Sequence, residues 1–469
     1  MERLDPDAIK VIARLRHMRH KAYFVGGCVR DLLLGANPKD FDVATDAHPG
    51  EVRAIFRNCR LIGRRFRLAH VYFRGGKVIE VATFRKNPTD VADDLPEGGD
   101  LLITRDNVFG TAEEDAVRRD FTVNGLFYDV ASGEVIDYVG GRADLEAHRI
   151  ATIGDPEVRM REDPVRALRA VRFAARLGFT IAPDTFEAMR RHAGELARCA
   201  PARVLEEIFK ILRCGGSARA FELMRACGAL ALVLPALGAA LDAWDEARRR
   251  SFFAHLGALD RLVRTGEEVS EAVLLGALLM HVRAGGRGEA APPVPVEGAP
   301  EPREASAGTR EAEALLASLV QTSRLPRKIA ERTRLALFTQ RNLREPARKR
   351  RRRGRGPAGQ DYFRDALQLL RITVEATGEG REALERWART HHPAGEAGHA
   401  EHDEFEAHAD RADRPELDVP EETGASSAGA GPEQQAEPGP DGPPGGRRRR
   451  RRRGGRRRRR RGAGAHAAT

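Results

Sequence analysis

The chain has 469 residues, 41% of them hydrophobic, so it can bury one or two cores and is not a wholly unfolded protein. Its formal net charge of +11 is not spread over the surface. Arg447 to Arg453 and Arg456 to Arg461 hold thirteen positive charges, without which the total falls to −2, and a second basic run spans Arg348 to Arg355, so the basicity belongs to appendages. The five cysteines form no CxxC pair, which argues against a disulfide framework or zinc site. The longest apolar run, 228–241, contains Pro235 and is shorter than the roughly 20 residues of a membrane helix. No signal peptide or membrane span is expected, and a reducing cytoplasm fits.

In chain order, a helix near Asp5–Met18 precedes the apolar tetrad Ala22-Tyr23-Phe24-Val25, which reads as a buried strand. Gly26-Gly27 then lets the backbone turn tightly, so that its amides can approach phosphates, and a helix is predicted from about Val29. A strand over 40–45 puts Asp40 and Asp42 on one face, about 6 to 7 Å apart. Such a pair suits two Mg²⁺ ions clamping the attacking and leaving oxygens of a phosphoryl displacement. Strands follow at 69–74 and 77–84, the second carrying Glu80 among apolar residues as the expected third carboxylate. Residues 86–111 lack periodicity and contain Pro88, Pro96 and Gly98-Gly99, so they read as a long loop beside the site.

From Asp163 to about residue 392 the period is helical, with Val165, Leu168, Val171 and Ala175 on one stripe. Low-complexity stretches at about 284–308 and from Pro393 onward cannot bury enough apolar surface to offset ordering entropy. The expected domains are a catalytic head (1–150), a helical neck (151–215), a helical RNA-binding body (216–392) with the insertion near 284–308, and a disordered Arg-rich tail (393–469).

Several cations suit nucleotide chemistry. Arg118 and Arg119 can bind triphosphate oxygens bidentately, Asn124 can bond a ribose hydroxyl or the loop, and Arg30 serves the triphosphate or orients the glycine turn. Asp163, Arg166 and Arg169 recur at i, i+3 and i+6 of one predicted helix, as an acceptor and donors that can read a base edge. Arg64, Arg65 and Arg67 surround Phe66 and can contact RNA phosphates or stabilise the head. His70, just beyond, reads as a structural histidine. The arginine tail suits salt-sensitive tethering of RNA, with a log-log slope of about −3 to −4 if five phosphates are engaged.

The strings GGCVRDLLLG, KDFDVAT, EEDAVRRDFTVNGLFYD, DYVGG, EDPVRALRAVRFAARLGF and ARVLEEIFKIL occur in this order over roughly residues 20–215. The chain thereby resembles the class II tRNA nucleotidyltransferase and bacterial poly(A) polymerase superfamily, and LIGRRFRLAHV (61–71) looks like the segment that marks its poly(A) polymerases. The resemblance implies an α+β fold, with a polymerase β-like nucleotidyltransferase head of small mixed sheet followed by an all-α neck and body. It implies AMP transfer from ATP to RNA 3′ ends with Mg²⁺ or Mn²⁺. Gly26 and Gly27 would cradle the nucleotide, Asp40 and Asp42 would bind metal, and Asp163, Arg166 and Arg169 would select the base. Implied partners are mRNA, regulatory RNA and tRNA 3′ ends, with RNA-decay proteins reached through the tail. A CCA-adding tRNA nucleotidyltransferase is the alternative, and a non-enzymatic RNA-binding scaffold a remote one.

Overall fold

Asp5 opens the first helix, α1 (Pro6–His17), by accepting from the amides of Asp7 and Ala8 at 2.9 and 3.1 Å, with Pro6 where no amide is needed. Ala8, Val11, Ile12 and Leu15 recur at helical spacing, and that buried stripe seats α1 on the sheet. A computed structural model describes residues 4–63, 68–86, 108–284, 307–344 and 361–390. These belong to one unit, Met1–Gly395. The second unit, Glu396–Thr469, lies outside the described residues. So do Arg64, Arg65 and Arg67, most of the expected 86–111 loop, and most of the 284–308 insertion.

The head is a seven-stranded mixed sheet. Its strands are β1 (Ala22–Val25), β2 (Val43–Thr45), β3 (Cys59–Ile62), β4 (Leu68–Tyr72), β5 (Val78–Thr83), β6 (Leu126–Asp129) and β7 (Glu134–Asp137), in the order β3-β4-β5-β2-β1-β6-β7. Only β2 and β5 pair in parallel, Val43 opposite Val81. Helices α2 (Gly27–Leu33), α3 (Pro49–Ile55), α4 (Ala112–Val117) and α5 (Gly141–Glu146) join the strands. The β6–β7 hairpin and β3 were not predicted. The signal for the hairpin was present in Leu126-Phe127-Tyr128, followed by a turn at Gly133 with φ of 73°.

Two boundaries correct the sequence reading. The helix after the glycine turn begins at Gly27 rather than Val29. Asp40 and Asp42 precede β2 instead of lying on it, because the ladder with the four-residue β1 extends only from Ala22–Thr45 to Phe24–Val43. The Val25 amide still donates to the Asp42 carbonyl at 3.1 Å, so Asp42 is fixed at the strand's threshold.

Beyond the head, a two-residue parallel pair of β8 (Arg149–Ile150) and β9 (Thr180–Ile181) flanks α6 (Pro156–Glu162) and α7 (Val165–Leu177). Helices α8 (Pro183–Arg191), α9 (Pro201–Leu212), α10 (Ser217–Ala226), α11 (Ala229–Val233), α12 (Pro235–Ala243), α13 (Glu246–Arg264) and α14 (Glu271–Ala284) continue the chain. After them come α15 (Ala307–Thr322), α16 (Arg327–Arg344), α17 (Phe363–Thr377) and α18 (Arg381–Thr390). Apolar side chains from Ala8 through Phe24, Phe121, Leu168, Phe221 and Leu256 to Leu369 form one contiguous core. No described helix is long and apolar enough to cross a membrane.

Candidate active site

Gly26 adopts φ of 74°, which a side chain would strain, and a Cβ there would lie 3.0 Å from Arg119 Nη1. Its amide donates to the Leu126 carbonyl at 3.0 Å, which ties the turn to β6, and the Gly26 carbonyl receives the first bond of α2 from Arg30. The turn therefore lies beside Asp42 and below the Arg119 guanidinium.

The Asp42 carboxyl is open to water on one side and enclosed by protein on the others. Burial, then the charge of Glu80 and to a smaller extent Asp40, push it up to about 6 against the pull of Arg119. Glu80 alternates outward on β5 and its side chain is 48% exposed, so it is not the buried acid the apolar strand suggested. Its cross-strand neighbour in β4 is His70, with Nε2 3.4 Å from Oε1. Asp40 is exposed in the preceding loop.

Among the described residues no group of three or more His, Cys, Asp or Glu is gathered closely enough to form a ready metal cage. The donor set nevertheless fits Mg²⁺. It consists of hard carboxylate oxygens crowded by like charge, and Mg²⁺ is commonly bound through one or two carboxylates with substrate phosphates and water completing its shell.

The cations on the other side form a lattice. Asp115 of α4 accepts from Arg118 Nε at 3.1 Å and from Arg119 Nε and Nη2 at 3.1 and 2.9 Å. Burial would raise the Asp115 carboxyl, but the two guanidiniums outweigh it and hold it below its ordinary range. Arg118 and Arg119 remain about a quarter exposed, so their outer edges face solvent. Arg119 also lies over Phe127, 5.3 Å from its ring centre.

Arg30 has an internal position. Only 2% exposed, it donates to Asp31 at 2.6 and 2.9 Å and to Asn124 Oδ1 at 2.6 Å. In this arrangement it braces the glycine turn, and the triphosphate contact weighed for it would require those bonds to break. Asn124 is likewise buried, taking Arg30 on its oxygen and donating from Nδ2 to Asp120 at 3.2 Å.

The expected base-reading trio does not share one helix. α6 ends at Glu162, Asp163 has φ of −149° and ψ of 90°, and α7 starts after Pro164, whose ring disfavours helical geometry in the residue before it. Asp163 pairs with Arg203 of α9. Arg166, buried, donates to Glu162 at 2.8 Å and to the Arg159 carbonyl at 2.7 Å. Arg169 is a third exposed and bridges to Asp120 at 2.5 and 2.8 Å. The break thus brings three elements together where a single helix face was expected.

Four members of this lattice were not singled out from sequence. Asp115 was legible, since it precedes Arg118 and Arg119 by three and four residues. Arg159 and Glu162 carried the same signal, three residues apart with Arg166 four further on, whereas Asp120 had none toward its partner Arg169, 49 residues away. Arg159 joins Glu162 at 2.7 Å to the carbonyls of Arg118, at 2.7 Å, and Arg119, and so links α6 to the Arg118-Arg119 pair.

A mixed sheet with a glycine turn beside paired carboxylates, carried on a helical neck, defines a nucleotidyltransferase head. Residues 22–151 match the family described as Poly A polymerase head domain, and residues 178–241 match the one described as probable RNA and SrmB-binding site of polymerase A. The Poly(A) polymerase I of Salmonella typhi is 46% identical over 282 residues, 59% of this chain and 60% of that protein. The CCA-adding enzyme of Geobacillus stearothermophilus is 39% identical over 231 residues, 49% of this chain and 55% of that one. A crystal structure of the Bacillus stearothermophilus CCA-adding enzyme in complex with CTP superposes with a TM-score of 0.57 at 27% identity, covering 82% of each chain. Residues 22–151 and 178–241 are thus similar to domains of the bacterial poly(A) polymerases, and the chain spans about three fifths of the length of the Salmonella relative.

Proposed function

We propose that this protein is a template-independent polynucleotide adenylyltransferase, which transfers AMP from ATP to RNA 3′ ends and releases pyrophosphate. The observation that carries the reading is the crowding of Asp42 by Glu80 and Asp40, only partly offset by Arg119, beside the Gly26 turn and the Arg118-Arg119 pair. Such a place suits divalent cations and a triphosphate together.

In this reading Asp40 and Asp42 hold divalent cations, Mg²⁺ or Mn²⁺, and Glu80 orients the RNA terminus. Cations bound there supply a lowered pKa for the 3′-hydroxyl and neutralise charge on the leaving pyrophosphate. Gly26-Gly27 admits the triphosphate close to backbone, while the outer edges of Arg118 and Arg119 bind its oxygens. The 3′-oxygen forms a bond to the α-phosphorus as the bond to pyrophosphate breaks, and the hydroxyl proton leaves to water in the open cleft. Asp163, Arg166 and Arg169 select adenine, with the Asp163–Arg203 and Arg169–Asp120 pairs rearranging to present their polar atoms.

The head 1–150 performs transfer, the neck 151–215 selects the nucleotide, and the body 216–392 and tail 393–469 hold RNA. Arg64, Arg65 and Arg67 contact RNA phosphates near the cleft. The RNAs are mRNA, regulatory RNA and tRNA ends in the cytoplasm, with RNA-decay proteins recruited through the tail. Adenylate specificity is supported by the higher identity to Poly(A) polymerase I, 46% against 39% for the CCA-adding enzyme. The likeness over 82% of the chain to a CCA-adding enzyme favours addition of CCA to tRNA as a second reading.

The test is extension of a labelled generic oligonucleotide and a tRNA lacking its CCA end, with Mg²⁺ and each NTP alone or mixed. Adenylate ladders on both RNAs from ATP alone are expected. Addition of three nucleotides, confined to the tRNA and requiring CTP, would transfer the assignment to the second reading.

A further inference from the structure

The large apolar side chain with the greatest exposure among the described residues is Phe338, at 62%, in the middle of α16. A phenyl ring left in water forgoes the free energy of burying apolar surface, so its surroundings say what would cover it. α16 packs on α14, α15, α17 and α18, and its inward face is occupied by Thr333, Ala336, Leu337 and Gln340. The opposite face carries Arg327, Glu331, Arg334, Phe338 and Asn342, which recur at spacings of three and four, and all five are exposed.

The charge of this helix is one-sided. It holds six Lys or Arg against one acid, Glu331. That acid is paired with Arg334 at 2.6 and 3.0 Å, but both side chains are about half exposed, so the pair is worth little and can open to another anion. The arginine lies one turn before Phe338 on the same face. An exposed ring beside a guanidinium within a basic stripe is what a single-stranded nucleic acid requires, since bases stack on the ring and phosphates meet the cations without sequence readout.

We infer that the outer face of α16 is a docking surface for single-stranded RNA, with Phe338 stacking a base and Arg334 and Arg327 binding flanking phosphates. This rests on RNA being the substrate class, and it names the residues by which the body would hold RNA. It would grip RNA upstream of the reacting 3′ end. A protein partner is less favoured, because the stripe offers one ring surrounded by charge and polar groups and not a contiguous apolar patch.

The test measures binding of the full-length chain to a 20-nucleotide oligoadenylate by fluorescence anisotropy, comparing the parent with Phe338→Ala, Phe338→Trp and Arg334→Ala. Stacking energies imply a loss of about tenfold for Phe338→Ala, with Phe338→Trp restoring it. An abasic strand of equal length should bind parent and Phe338→Ala alike, while Arg334→Ala weakens both strands. Because Phe338 and Arg334 are exposed, the melting temperature should not change. Unchanged oligoadenylate affinity in Phe338→Ala would overturn the inference, as would an equal loss on the abasic strand. Unchanged affinity with loss of self-association would instead assign the face to a second copy of the chain. These outcomes do not depend on nucleotide addition, so failure of the polymerase reading would appear separately, as RNA that binds through Phe338 but is never extended.

Discussion

Two groups of carboxylates around the head are treated oppositely. On the neck side Asp31, Asp115 and Glu162 are buried and the Asp120 side chain is only 10% exposed, and each meets at least one guanidinium within 3.2 Å. On the cleft side Asp40, Asp42 and Glu80 are exposed, and Asp42 is surrounded more by acids than by cations. The consequence appears in proton affinity. Arg169, Asn124 and the Phe121 amide overcome burial and hold Asp120 at about 2, whereas burial and Glu80 push Asp42 up to about 6. The paired acids are framework, and the crowded acid is the one on which the proposed chemistry rests.

The most severe test of that contrast is Asp42→Ala. Losing a cation ligand from the transition state should reduce adenylate transfer by roughly a thousandfold or more, measured in single turnover, while the melting temperature holds or rises as like-charge crowding is relieved. On the other side Glu162→Ala should behave inversely. It strips a shared carboxylate from Arg159 and Arg166, both buried, and should cost about 3 to 5 kcal/mol in denaturant unfolding.

Asp120 gives a smaller, pH-dependent effect. Its folded pKa of about 2 lies below its ordinary 3.8, so its contribution is complete above about 3.8 and is lost as pH falls through 2. The shift corresponds to about 2 kcal/mol, and Asp120→Asn should flatten the loss of stability across that window. The smallest effect belongs to an exposed pair outside both groups. Arg190 and Glu187 are about half exposed and 3.3 Å apart, and Glu187→Gln should alter stability by about 0.5 kcal/mol or less. A larger loss there would mean that pairing alone, without burial, distinguishes the two sides.

What could be read from the sequence follows the range of the interactions. The strand–glycine turn–helix unit and the proximity of Asp40 and Asp42 were legible because they depend on neighbours within a few residues. The placement of both acids ahead of β2 was not, because it depends on where β1, with only four residues, stops pairing. At Asp163 the local signal was present in Pro164, but the helical spacing of Asp163, Arg166 and Arg169 concealed it. Arg30 and Asn124 looked like ligand contacts because a guanidinium and an amide suit nucleotides equally well inside and outside a protein. Their bond to each other spans 94 residues and has no trace in local spacing. The Asp120–Arg169 bridge, across 49 residues, was hidden for the same reason.

The contrast is tested most directly by following the melting temperature of the parent and of Asp42→Ala as Mg²⁺ is raised into the millimolar range. Ligands that bind only the folded state raise its stability by RT ln(1 + c/Kd) at free concentration c, so the gain grows with concentration above Kd. The parent should gain stability with Mg²⁺, and the variant should start at or above the parent and gain less. Identical gains in the two proteins would contradict the assignment of Asp42 as a cation ligand.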